Sequence, residues 1–134
     1  LAPFRRARVG DMELLLRSEA TNPAGEDDER GNYVSIDRLQ GNELRLVGTM
    51  WERRESDDTF WRGAFAWQMT SPGVEQTATG YVVHEHWSFT QRKTHRRSSR
   101  DVRRVYTIVD HLLVEDPLDD LEAWPETRSA SSAK

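Results

Sequence analysis

From residue 33 onward, apolar and polar side chains alternate with a period of two, the spacing of strands that bury one face and wet the other. Segments 33–39 and 43–51 flank Gln40-Gly41-Asn42, a short connection whose glycine suits a tight hairpin. In the second segment Leu44, Leu46 and Met50 share a face around Gly48, while Glu43, Arg45 and Thr49 oppose them. Residues 52–58 are charged and turn-like. Segment 60–69 then aligns Trp61, Phe65, Trp67 and Met69, and Ser71-Pro72-Gly73 predicts the next turn. The longest strand expected, 77–91, places Tyr81, Val83, Trp87 and Phe89 on one face and His84, His86, Ser88 and Thr90 on the other. Segment 102–114 is apolar on both faces, which predicts a strand covered on both sides.

Ahead of this region the period differs. Gly10-Asp11 reads as a helix N-cap, and Met12, Leu15 and Leu16 fall on one helical face, so a helix is expected over 11–20. The run Leu14-Leu15-Leu16 has no unique period, which leaves a strand as the alternative. The elements sum to a mainly β (α+β) domain: a curved antiparallel five-stranded meander with one N-terminal helix packed on it. A small lipocalin-like β-barrel is the alternative if 11–20 is extended. The domain is expected over 11–115. A basic arm precedes it at 1–10, and an acidic, then Ser/Ala-rich tail follows at 116–134, with a short turn of helix around 118–124 and a partly disordered end.

Composition narrows the classes of function. The 134 residues suit one domain, and 5 Trp, 4 Phe and 3 Tyr supply aromatic surface for one core. No apolar run approaches the ~18–20 residues of a membrane-spanning helix, so no transmembrane segment is expected. The absence of cysteine removes disulfides, thiolate metal sites and thiol catalysis together. The chain opens at Leu1 rather than at methionine, so removal of an upstream segment is expected, and the compartment stays open. The net charge of −4 hides an uneven distribution: residues 92–104 carry seven basic side chains and one acidic, a local +6 that leaves −10 elsewhere.

Three groups of residues invite a chemical reading. Glu85 alternates onto the apolar face of its strand, where a carboxylate needs a cationic partner or acts as a polar anchor in an apolar pocket. With Asp110, Trp61, Trp67 and Trp87 it forms the candidate pocket set, and Glu85 and Asp110 would make a carboxylate pair if their strands brought them together. The pair His84 and His86 projects from one strand face, and His111 or His95 would supply a third metal ligand. The basic stretch Arg92, Lys93, Arg96, Arg97, Arg100, Arg103 and Arg104 is expected as a loop that contacts an acidic protein partner or the phosphates of a nucleic acid. No phosphate-binding glycine loop, nucleophile elbow or zinc-protease motif is present, so no cofactor is expected and no catalytic residue is assigned.

The seven residues His86-Trp87-Ser88-Phe89-Thr90-Gln91-Arg92 resemble a strand frequent in nuclear transport factor 2-like folds. The resemblance implies a curved, helix-backed sheet and carries no function with it. The sequence therefore points away from an enzyme and toward a protein-binding or assembly domain, with a protein partner or a second copy as its target. A small apolar-ligand carrier or enzyme with a pocket under the sheet is the alternative, and nucleic-acid contact through 92–104 is a further one.

Overall fold

The computed structural model describes residues 4–20, 30–56, 65–117 and 122–125. They form one eight-stranded antiparallel sheet in chain order: β1 (Phe4–Val9), β2 (Met12–Ala20), β3 (Arg30–Gln40), β4 (Glu43–Ser56), β5 (Phe65–Gln76), β6 (Gly80–Gln91), β7 (Arg97–Val109) and β8 (Leu112–Glu115). The expected five-stranded meander with an N-terminal helix is thus replaced by eight strands with no helix among the described residues. The helix-backed sheet implied by the short strand resemblance is absent there as well.

The first correction concerns residues 4–20. Gly10 takes a positive φ of 61° and with Asp11 turns the chain between β1 and β2, so the residues read as a helix cap are a hairpin turn. A positive φ at the first central residue alone is the pattern of a type II′ turn, and Gly41 repeats it between β3 and β4. Leu14 and Leu16 then point into the core while Leu15 points away, as alternation requires. The basic arm becomes β1, whose inward residues Ala7 and Val9 cover the edge of the core.

Two other turns lie where the sequence reading did not put them. Ser71-Pro72-Gly73 stays inside β5 as a register shift between Thr70 and Gly73, and the turn falls instead at residues 77–79. The single strand expected over 102–114 is broken by Asp110 and His111, whose φ values of 51° and 65° fold β8 back onto β7. Positive φ at both central residues is the type I′ pattern, whose twist matches that of the flanking strands.

The sheet rolls so that its ends meet its middle. The side chain of Gln76, at the end of β5, donates to the Arg8 carbonyl of β1. β8 packs over β4, where Leu113 lies so close to Gly48 that a Cβ there would sit 2.5 Å from the Leu113 Cβ. Among the described residues β4 and β5 pair from Arg53 to Ser56, so the first part of β4 is left free of β5. Two cores result. One joins Val9, Leu14, Leu16, Val34, Ile36, Val47 and Met50 to Tyr81, Val83 and Tyr106. The other gathers Phe65, Met69, Trp87 and Phe89 with Ala123 and Trp124 from beyond the sheet.

Candidate functional site

Glu85 sits on the inward face of β6, only 3% exposed, as alternation with Val83 and Trp87 demands. Its neutralising partner is Arg104, which alternation aims inward from β7. Arg104 Nε donates to Glu85 Oε2 at 2.6 Å and Nη2 to Oε1 at 2.8 Å, a bidentate pair. Trp87 Nε1 adds a third hydrogen bond to Oε1 at 3.0 Å, and Arg104 Nη1 reaches Glu115 at 2.6 Å. Burial pushes the Arg104 pKa down, but the hydrogen bonds and charges of Glu85 and Glu115 outweigh it and hold the guanidinium above its ordinary value. The carboxylate is therefore fully engaged within the fold. Asp110, at the β7–β8 turn, does not face it, because Glu85 is registered against Val102.

The tryptophans pack together rather than line an open space. Trp67 stacks on Trp87 with centroids 5.2 Å apart, and Trp87 stacks on Phe89 at 6.1 Å. Trp124 enters edge-on against Phe65, Trp67, Trp87 and Phe89 at 4.9–6.5 Å. The Arg54 guanidinium lies over Trp51, Trp67 and Trp87 at 4.9, 5.4 and 5.9 Å, within cation–π range of each ring. Trp61 falls outside the described residues.

The histidines expected as a metal pair are separated by their partners. His84 Nε2 lies 3.2 Å from Glu75, His86 Nδ1 lies 2.8 Å from Asp101, and His111 occupies the β7–β8 turn. No group of three metal-ligating side chains occurs among the described residues. The basic stretch is only partly a loop. Arg92 and Lys93 lie at the turn between β6 and β7, and Arg96 closes it by accepting from the Gln91 amide. Arg97, Arg100, Arg103 and Arg104 all belong to β7, which sends Arg97 and Arg103 to the outer face with Asp101 between them and Arg100 and Arg104 inward.

The feature that the sequence reading did not single out lies at the opposite end of the sheet. Leu44 and Leu46, at the start of β4, and Val109, Leu112 and Val114, around the β7–β8 turn, are exposed, Leu46 by 60% and Leu112 by 57%. Leu46 and Leu112 line one depression of about 440 Å³ together with Arg38, Arg45, Asp110 and His111. Leu39, opposite Leu44, carries the apolar surface to a second depression of about 270 Å³ beside Leu15 and β1. Alternation had placed Leu44 and Leu46 with Met50 on one face, but the register shift between Ile36 and Asp37 changes the phase, so Met50 is buried and the two leucines are not. One tyrosine is also unusual. The Tyr81 hydroxyl is buried without a hydrogen-bond partner among the described residues, and burial raises its pKa against a smaller lowering by Arg5. No helix among the described residues is long and apolar enough to cross a membrane. No family model matches the chain, and neither the curated proteins nor the solved structures include a significant match.

Proposed function

We propose that this is a non-catalytic protein-binding or assembly domain that engages its partner through the hairpin tips of β3–β4 and β7–β8. The observation that carries the reading is that the exposed Leu46 and Leu112 line one depression rimmed by Arg38, Arg45 and Asp110, with Leu44 and Val114 exposed further along the same two strands. Scattered exposed leucines are ordinary, but apolar side chains grouped within a polar rim mark interaction surfaces. Charges of both signs around the rim favour a partner with a similarly mixed surface. The carrier reading has less support, because Glu85 is engaged by Arg104 and Trp67 is stacked on Trp87.

A photo-crosslinking amino acid placed in turn at Leu46, Leu112 and Ser88 tests the proposal in cells of the native source. Adducts of one defined mass from positions 46 and 112, with none from Ser88 on the polar outer face of β6, are expected. Loss of those adducts in a Leu46→Arg, Leu112→Arg chain completes the expectation. Equal labelling from all three positions, or none from the tips, overturns it.

A further inference from the structure

We infer that residues 122–125 act as an intramolecular ligand in an aromatic groove on the inner face of β5 and β6, and that this groove accepts the same acidic, tryptophan-bearing segment from a second copy of the chain. The inference stands apart from the hairpin tips and rests on how the two cores are built. Among the described residues the first core draws only on strands and contains no residue of the 122–125 segment. The second depends on it: among the described residues, Ala123 and Trp124, 1% and 2% exposed, are the members of its buried set that lie outside the sheet. Lifting the segment away leaves the strand core intact and uncovers Phe65, Trp67, Trp87 and Phe89, the side chains that Trp124 meets edge-on. A segment that fills a face without being needed by the remaining core has the relation of a ligand to a receptor.

Charge supports the match. The chain around Trp124 reads Asp116-Pro-Leu-Asp-Asp-Leu-Glu122-Ala-Trp124-Pro, strongly acidic, and the wall it meets is basic. Arg54 lies over Trp67 and Trp87, and Arg100 is registered opposite Trp87 with its Nε buried and unbonded among the described residues. An acidic segment with one indole anchor complements both parts of this surface. The Asp116 amide donates to the Val105 carbonyl, which fixes the chain against β7 at the end of β8. Docking in cis or in trans is then decided by tether length, because a linker too short to span its site removes the intramolecular option.

Two full-length variants and one measurement on the wild type test this. A Trp124→Ala chain offers the groove without its anchor. A peptide of residues 116–128 should restore at least half of the melting temperature lost in that variant, and the same peptide with Trp124→Ala should restore none. Deleting residues 118–121 shortens the tether, and this chain should run as a dimer in native mass spectrometry with Trp124 still shielded from a fluorescence quencher. In the wild type, amides of residues 122–124 should exchange with deuterium at least 100-fold faster than those of β6, reporting release of the segment without unfolding of the sheet. A monomer with an exposed indole in the shortened chain overturns exchange between copies. Exchange of 122–124 only at the rate of global unfolding overturns the ligand relation itself, whether or not the Trp124→Ala chain folds. Leu46→Arg should leave all three readouts unchanged, which separates this groove from the hairpin-tip surface.

Discussion

Replacing Glu85 with leucine should be among the most destabilising single changes in the molecule. The Glu85 and Arg104 side chains are 2% and 5% exposed, so neither ion can recover water when its partner is removed. Glu85→Leu removes the bidentate partner of Arg104 and leaves its ion pair to Glu115, which is 39% exposed, where such a pair is weak. It also leaves the Trp87 indole N–H without its acceptor. Breaking one side of a buried pair costs about 3–5 kcal/mol, a large part of the ~5–15 kcal/mol that holds a domain together. Arg104→Met should cost a similar amount by burying the Glu85 carboxylate with only the indole N–H to hold it. The double variant removes both charges and leaves apolar side chains in an apolar site, so it should be more stable than the sum of the singles by about 2 kcal/mol or more. Urea unfolding of the four chains reads these differences as midpoint shifts at constant slope. Single losses that add within about 0.5 kcal/mol in the double variant would refute the argument that mutual neutralisation allows Glu85 to occupy the core. The arginine adds no pH sensitivity near neutrality. Its pKa is raised in the folded state, so its contribution is fully present below the unfolded value and is lost only as pH climbs through the raised one.

Tyr81→Phe removes a buried hydroxyl that has no partner among the described residues, and should stabilise the fold by up to about 1 kcal/mol. Because the folded pKa of Tyr81 is raised from 10.0, the native protein should lose stability as pH rises above 10, and the Phe variant should lose less over the same interval in thermal melts. An identical alkaline slope in both proteins would show that another group governs it. Gly48→Ala places a methyl group 2.5 Å from the Leu113 Cβ and should cost about 1–3 kcal/mol by forcing β8 away from β4. Leu113→Ala in that background should relieve part of the loss, as a coupling energy in denaturant titrations, and strict additivity would contradict the contact.

The sequence made the interior of the sheet legible and obscured its ends, for a physical reason. A strand covered on one face writes its position in period two, and β6 is such a strand: Tyr81, Val83, Glu85, Trp87 and Phe89 all point inward as alternation requires. Edge strands write little. β1 turns Ala7 and Val9 to the core and carries Arg5, Arg6 and Arg8 around them, which suit a sheet edge and leave no hydrophobic period to detect. β8 is four residues long, and its turn uses Asp110-His111 rather than the glycine that a positive φ usually recruits. Pro72-Gly73 misled in the opposite direction, because residues that favour a turn serve equally well in the irregular pairing of an extended strand. The partner of Glu85 was hidden because any of 17 arginines fits the charge requirement, and only the pairing of β6 with β7 selects Arg104.

The same pairing changes what the local charge of +6 means. A polyanion reads charge on one surface, whereas a strand deals its residues alternately to two. Within β7 the inward positions take Arg104 into the ion pair with Glu85 and set Arg100 opposite Trp87, so neither adds to an external field. The outward positions keep Arg97 and Arg103 but place Asp101 between them, already bound to His86. What remains concentrated and outward lies in the short β6–β7 turn, far fewer charges than the linear count suggests. The aromatic side chains that could stack on bases face the opposite way, packed around Trp87. The arginines of β7 thus divide between holding the interior together and decorating a mixed surface, a distribution that suits contact with a protein of mixed charge better than a continuous grip on phosphates.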